Sequence, residues 1–223
     1  MTQLSLFSAD LAEPRPEDLG GLLAAHGQAA RGASGTRLSI LLADEWRGLA
    51  LLAECRVRDI PAELEPAPSE ADRAGALGAD GGSVGGPADE LASVRSGRVL
   101  LRTARLAELT TVADDWARGA VKSVPPGLTL GAGLLRCWVL AAGRPVAAPG
   151  VGFLLGLDPH APQTHERLAA ACSRAGTAGA IVGVAAGGPA VRVTGRRRLL
   201  RLAEILGSPP RGAPAGAFPV PVR

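Results

Sequence analysis

Few side chains in this 223-residue chain belong to the types that perform covalent chemistry or hold metals. The three cysteines, Cys55, Cys137 and Cys172, are far apart and flanked by apolar residues, and the chain contains no Cys-x-x-Cys or Cys/His cluster. A structural zinc site is therefore not indicated. The cysteines are predicted to be buried, reduced thiols.

The histidines do not form a catalytic pattern either. His165 lies seven residues before Cys172 with no acid placed to orient it, which disfavours nucleophilic catalysis. Asp158 and His160 are typical of a turn, followed by a helix start. The glycine-rich stretch over residues 81–87 lacks the Lys-Ser/Thr pair of a phosphate-binding loop. The sequence thus predicts no catalytic residue, no metal site and no cofactor.

Arginine is the group with the clearest binding chemistry. Arg outnumbers Lys by 23 to 1, a bias typical of a GC-rich genome such as that of actinobacteria. Residues 1–120 carry a net charge of −6, whereas residues 121–223 carry +9. The densest cluster is Arg196, Arg197, Arg198 and Arg201, at the start of a predicted helix. Cations there oppose the helix dipole, and a bound phosphate would relieve this conflict. Alternatively, these arginines are solvated or pair with the acidic half.

The elements that would position these residues form an internal repeat of helix, two strands, helix, two strands and helix. In the first copy they are predicted over Leu19–Gly27, a short strand after Gly27, Arg37–Ala43, Glu45–Arg58, Pro61–Glu65 paired with Arg98–Thr103, and Arg105–Trp116. In the second copy they are predicted over Leu135–Gly143, Pro145–Ala148, Gly152–Asp158, Gln163–Ala175, Ala178–Val184 paired with Ala190–Thr194, and Arg196–Leu206.

This element order, with the segment Leu-Gly-Gly-Leu-Leu-Ala-Ala-His-Gly over residues 19–27, resembles the LAGLIDADG homing endonucleases across about residues 18–206. The resemblance implies an α/β (α+β) fold of two pseudo-symmetric αββαββα halves that form a saddle over duplex DNA. It also implies close packing of the two opening helices through small residues. These are Gly20, Gly21, Ala24, Ala25, Ala141, Ala142 and Gly143. Arg136 and Trp138 depart from the small-residue pattern.

The eighth motif position decides the expected activity. In those nucleases it is an acid in each copy, and the two acids hold divalent metals at the scissile phosphates. The matching residues here are His26 and Ala142, of which alanine binds no metal and histidine is a poor magnesium ligand. The fold is therefore predicted to be inactive as a nuclease. The second copy is similar to the LAGLIDADG-like domain of WhiA sporulation regulators, which also lacks nuclease activity, although their additional helix-turn-helix domain has no counterpart here.

Strand alternation identifies the candidate DNA-binding face. Arg98 and Arg102 share one face of their strand, and Arg192 and Thr194 share one face of theirs. The predicted DNA-binding residues are Arg37, Arg98, Arg102, Arg192, Thr194, Arg196, Arg197, Arg198 and Arg201. Because Glu63 and Glu65 place negative charge on the first half, the second half is expected to dominate, through contacts with the DNA backbone.

The first residues carry a separate motif. The segment Gln3-Leu4-Ser5-Leu6-Phe7 resembles, at every position, the pentapeptide with which bacterial polymerases and repair proteins dock on the replication sliding clamp. Leu6 and Phe7 are apolar anchors for a pocket, and Gln3 offers amide hydrogen bonds to its rim. Alternatively, Leu4, Leu6 and Phe7 fold onto the protein's own core.

The predicted organisation has four parts. A flexible clamp-binding tail covers residues 1–17, a first half covers 18–118 with a mobile insertion at 66–95, a second half covers 119–206, and a disordered Pro/Gly-rich tail covers 207–223. No signal peptide or apolar run of membrane-spanning length is evident in the sequence. A cytoplasmic, nucleoid-associated monomer is expected.

These features predict a non-catalytic, sliding-clamp-associated accessory protein of DNA replication or repair that binds double-stranded DNA through a degenerate saddle. Three alternatives stay open. They are a sequence-specific transcription regulator of the WhiA kind, a protein-interaction module without affinity for DNA, and a residual nuclease.

Overall fold

The computed structural model describes residues 8–67, 97–146 and 151–219, which contain six α-helices and ten short strands. The helices are α1 (Gly20–Ala24), α2 (Glu45–Arg56), α3 (Glu108–Asp115), α4 (Ala132–Ala142), α5 (His165–Arg174) and α6 (Arg196–Leu206). The strands are β1 (Gln28–Gly32), β2 (Gly35–Leu42), β3 (Ala62–Pro66), β4 (Val99–Thr103), β5 (Ala117–Arg118), β6 (Val121–Lys122), β7 (Gly143–Pro145), β8 (Gly152–Gly156), β9 (Gly179–Val182) and β10 (Ala190–Thr194).

Two four-stranded antiparallel sheets carry the repeat. Their strand orders are β1-β2-β4-β3 and β7-β8-β10-β9, so the second copy reproduces the topology of the first. Both predicted hairpins pair as expected, β3 with β4 and β9 with β10. The prediction of an α+β fold with two pseudo-symmetric halves is confirmed.

The strand that opens the second sheet lies earlier than predicted. Strand β7 begins at Gly143 because this residue leaves the preceding helix with extended backbone angles, φ −74° and ψ 140°. The prediction of Pro145–Ala148 is therefore shifted, and residues 147 and 148 lie outside the described part. A small hairpin of β5 and β6, which the sequence did not predict, lies between the two halves.

Alternation along the strands separates a core face from an outer face. In β2, Leu38, Ile40 and Leu42 are buried, whereas the intervening Arg37 and Ser39 are half-buried. Burial of one face of each sheet against the helices fixes the register, because a slip by one residue would exchange the two faces.

The two halves meet through their opening helices, α1 and α4, which pack closely as the small residues predicted. A Cβ atom at Gly21 would lie 2.6 Å from the backbone nitrogen of Trp138 and 2.8 Å from the Cβ of Cys137. Trp138 is accommodated because it is fully buried, with its indole Nε1 donating to the carbonyl of Gly156 at 2.7 Å. Arg136 is accommodated by an ion pair with Glu54 at 2.7 Å.

The two terminal segments differ from the predicted flexible tether and disordered tail. Ser8 is buried, and the amide of Ala9 donates to the carbonyl of Ile205 at 2.8 Å. Asp10 accepts hydrogen bonds from the amide and hydroxyl of Ser208 at 2.8 and 2.9 Å. Phe218 is 3% exposed and belongs to the core. These contacts hold both segments against the C-terminal end of α6.

Within the described residues, no helix combines the length and the apolar character needed to cross a membrane.

Candidate nucleic-acid interface

The outer faces of the two sheets carry four of the nine predicted DNA-binding residues, and we call them the first and second saddle faces. The first saddle face comprises Gln28, Arg37, Ser39, Glu63, Glu65 and Arg102, which alternate with core residues or pair across the strands. The second comprises Arg144, Leu154, Ala180, Arg192 and Thr194. Both sets of residues follow from the alternation along each strand and from the register between strands, because cross-strand partners in an antiparallel pair share a face.

Charge on the first saddle face is partly neutralised. Arg102 forms an ion pair with Glu65 at 2.8 Å, and the exposed Glu63 lies directly opposite Arg102 in the register. Arg37 makes no ion pair with any described residue, and its Nε atom is shielded from solvent without a hydrogen-bond partner. Among the described residues, one cation of this face is therefore paired with an acid and the other is not.

The charged residues of the second saddle face, Arg144 and Arg192, are all positive. Strands β7 to β10 contain no acidic residue, and the Nε atom of Arg192 is shielded without a hydrogen-bond partner among the described residues. Arg144 donates to the carbonyl oxygen of Ala186 at 2.8 Å, so its charge is not neutralised by that contact. Sequence reasoning missed Arg144, although its position directly after the second motif helix would have placed it at the centre of the fold.

The arginine cluster predicted from the sequence extends from the far end of the second saddle face. Thr194 ends β10, and Arg196, Arg197 and Arg198 open α6 with exposed side chains. They line a cleft of about 1000 Å³ together with Thr194. Within residues 8–67, 97–146 and 151–219 these three arginines make no ion pair, so the pairing with the acidic half that the sequence left open is not observed there. Arg201 lies 3.6 Å from Glu204 in the same helix.

The C-terminal ends of α1 and α4 each hold a protein cation. At α1, the Nζ of Lys122 donates to the carbonyl of Ala25 at 2.9 Å and to the carboxylate of Asp158 at 2.6 Å. Unpaired carbonyls and the negative end of the dipole attract a cation to such a position.

At α4, the guanidinium of Arg47 donates to the carbonyls of Val139 at 3.2 Å and Leu140 at 3.0 Å, and also to Gly143. Asp44 holds Arg47 by an ion pair at 2.9 Å. The two helix ends therefore carry matching arrangements of a cation, its aspartate partner and main-chain carbonyls, one in each half.

Lys122 and Arg47 therefore occupy the C-terminal ends of the two helices that resemble the motif. His26 does not face a metal ligand set, since its Nε2 lies 2.7 Å from the carbonyl of Leu41. Burial alone would raise the pKa of Asp158, but the hydrogen bond and charge of Lys122 hold that pKa below its ordinary value. In the described part of the chain, no group of three or more His, Cys, Asp or Glu side chains is arranged to hold a metal.

A cavity of about 510 Å³ lies between these two helix ends. Its lining includes His26, Asp44, Arg47, Arg98 and Arg144. Arg98 was predicted as a DNA-binding residue, whereas Arg47 and Arg144 were not. The structure thus brings cations of both halves to the place where the two halves meet.

The structure does not describe the residues of the predicted clamp-binding motif. Gln3, Leu4, Ser5, Leu6 and Phe7 lie outside the described residues, as does most of the insertion at 66–95.

Neither a family-level sequence profile nor a curated protein matches this chain. Solved structures do match it. One of them is the homing endonuclease I-WcaI bound to its DNA recognition sequence, with a TM-score of 0.56 and 11% sequence identity, over 92% of this chain and 83% of that chain. At this identity the likeness shows the fold alone. The chain has the LAGLIDADG homing endonuclease fold, as the sequence resemblance predicted.

Proposed function

We propose that this protein binds double-stranded DNA across its two saddle faces, principally the second, and does not cut it. The observation that carries the proposal is the second saddle face itself. It presents Arg144 and Arg192 with no acidic residue, on a fold whose solved neighbour I-WcaI is bound to DNA.

The chemistry of the saddle faces favours contacts with the phosphate backbone. A guanidinium is planar and always charged, and it can donate two parallel hydrogen bonds to one phosphate. Neither saddle face carries an aromatic side chain, so base stacking of a single strand has no platform there. We therefore expect duplex binding with strong salt dependence and little base readout.

Fluorescence anisotropy of a labelled duplex, measured over a salt series, tests this proposal. The logarithm of the affinity should fall linearly with the logarithm of the salt concentration. Arg192→Gln should weaken binding on every duplex sequence, whereas Arg211→Gln, at an exposed position beyond the end of α6, should not. Absence of salt-dependent binding would favour the protein-interaction module instead.

We also propose that the chain lacks nuclease activity. Its support is that Lys122 and Arg47 fill the helix ends and engage Asp158 and Asp44, the carboxylates located there. Supercoiled plasmid incubated with the protein and magnesium or manganese should remain intact. Nicking that requires the metal and disappears in Asp44→Asn or Asp158→Asn would contradict this proposal.

Sliding-clamp docking by Gln3–Phe7 would assign the protein to replication or repair, and we propose this role for the tail. Its support is the match of the motif at every position, together with the location of the next residue. Ser8 lies beside the C-terminal end of α6, away from the cavity between the ends of α1 and α4, so a partner held by the tail would leave the saddle faces open. A clamp-bound protein would need only weak DNA affinity, because tethering raises its effective concentration.

Calorimetry with the cognate clamp tests the docking role directly. The wild-type chain should bind, and the double variant Leu6→Ala, Phe7→Ala should not. No binding by the wild type would overturn the docking role, and a WhiA-like regulator would then become the leading account of the saddle.

A further inference from the structure

The central cavity between the ends of α1 and α4 has a charge composition opposite to that of a metal site. Three guanidinium groups contribute to its lining, from Arg47, Arg98 and Arg144, against the single carboxylate of Asp44. That carboxylate is already engaged by Arg47 at 2.9 Å. The cavity therefore carries an excess of positive charge.

Two of these arginines have donors available for a ligand. Arg98 is exposed and makes no side-chain hydrogen bond with a described residue. Arg144 donates from one nitrogen only, Nη2, to the carbonyls of Ala186 at 2.8 Å and Gly188 at 3.5 Å. A guanidinium has five N–H donors, so most of those on Arg144 remain for another acceptor.

The neighbouring cations also oppose each other. Burial lowers the pKa of Arg144, and the nearby charge of Arg47 lowers it further. Arg47 cannot move away, because three carbonyls at the end of α4 and Asp44 hold it in place. An anion bound beside Arg144 would compensate for this repulsion.

We infer that the central cavity binds one phosphodiester group of the DNA backbone through Arg144 and Arg98, without a divalent metal. The inference rests on the proposed DNA binding and specifies its centre. Arg144 belongs to the second saddle face and Arg98 immediately precedes β4 of the first sheet, so a single phosphate at this point would be held by both halves. Protein cations would here perform the charge neutralisation that bound metals otherwise supply.

Duplex binding with and without metal provides the test. Anisotropy of a labelled duplex is measured in EDTA and in magnesium at matched ionic strength, for the wild type and for Arg144→Gln, Arg98→Gln and the control Arg211→Gln. We expect the affinity in EDTA to be at least as high as in magnesium, because Mg²⁺ competes with the cations of the protein for the phosphates. Each of the first two variants should bind about tenfold more weakly, with a salt slope smaller by about one, because one phosphate contact is lost. The control should match the wild type.

A conservative variant separates the charge of Arg144 from its support of the turn at residues 186–188. Arg144→Lys keeps the charge, and it should retain more affinity than Arg144→Gln at similar thermal stability. Equal loss of duplex affinity in Arg144→Lys and Arg144→Gln would show that binding depends on the turn and not on the cation, and it would overturn the inference.

A free phosphate ion presents the same chemistry as a backbone phosphate. Thermal melting with inorganic phosphate, against chloride at equal ionic strength, distinguishes the two. Stabilisation of the wild type but not of Arg144→Gln, with equal duplex affinity in both, would assign the cavity to a free phosphate and overturn the inference.

The remaining outcomes separate this inference from the proposed function. Duplex binding that requires magnesium, or that is unchanged in Arg144→Gln and Arg98→Gln, would overturn the inference while DNA binding elsewhere on the saddle faces stands. Absence of duplex binding by the wild type would overturn both.

Discussion

At the scale of single residues, the ion pair of Lys122 with Asp158 has the clearest energetic consequence. Asp158 is 2% exposed, and it holds the only lysine of the chain against the end of α1. Asp158→Asn would leave a largely buried ammonium without its counter-charge. We expect a loss of roughly 3–5 kcal/mol in the free energy of unfolding at neutral pH, measured by urea denaturation. Asp115→Asn, at an exposed position near the end of α3, should have little effect.

The same pair predicts a pH dependence. The native pKa of Asp158 lies below its ordinary value, so the ionised carboxylate stabilises the fold fully above the unfolded pKa of about 3.9. This contribution is lost as the pH falls through the lower native pKa. The stabilities of the wild type and Asp158→Asn should therefore converge in strong acid. A difference that stays constant down to that range would contradict the assignment.

The sequence predicted those features of the site that depend on neighbouring residues, and it missed those that depend on contacts between distant residues. The burial of Cys55, Cys137 and Cys172 followed from their apolar neighbours and is confirmed. The missing acids at the motif positions could likewise be read directly. The cations that fill the helix ends could not, because Arg47 contacts a carbonyl 92 positions away and Lys122 one 97 positions away. The one available signal was that Lys122 is a single lysine in an arginine-rich chain.

At the scale of elements, the contact between α1 and α4 depends on the absence of a side chain at Gly21. A Cβ there would lie 2.6 Å from the backbone nitrogen of Trp138, and a backbone cannot move aside as a side-chain end can. Gly21→Ala should therefore force the helices apart and cost about 1–3 kcal/mol of unfolding free energy, measured by thermal or urea denaturation. Gly131→Ala is the matched control, because a Cβ there meets nothing within 4 Å. Equal stability of the two variants would show that the helices separate without cost.

The C-terminal segment makes a second element-scale prediction. Phe218 is 3% exposed, and the guanidinium of Arg136 lies 5.5 Å from its ring centroid. Phe218→Ala should lower the free energy of unfolding by roughly 3–5 kcal/mol in urea denaturation, as for other buried aromatic residues. Leu11→Ala, at a side chain that is 52% exposed, should change it little. Similar small effects of both substitutions would mean that the segment does not contribute to the core.

Elements with one buried face were predictable, whereas very short ones were not. Strands β2 and β10 alternate clearly between core and outer residues, and β10 has the predicted bounds. Strands β5 and β6 contain two residues each and β7 three, too few to display a period. The segment after Gly207 has no periodicity either, and it is attached through the hydrogen bonds of Ser208 with Asp10 and through the buried Phe218.

At the scale of the whole molecule, the two proposed binding functions lie at different ends. Ser8 and Asp10 are attached beside the C-terminal end of α6, and Arg136, near the start of α4, reaches the same place through the carbonyl of Leu206. The central cavity lies at the other end of α4. From Arg136 to Ala142, the last residue of that helix, the rise is about 9 Å along the axis.

We therefore expect duplex DNA and the sliding clamp to be bound at the same time. A labelled duplex saturated with the wild-type protein should show a further rise in anisotropy when clamp is added, because a larger complex forms. The double variant Leu6→Ala, Phe7→Ala should bind the duplex equally well and show no further rise. Release of the duplex on addition of clamp would mean that the tail and the saddle faces compete for one partner surface. In that case clamp docking would regulate DNA binding by exclusion, and tethering through the tail could not raise the occupancy of DNA.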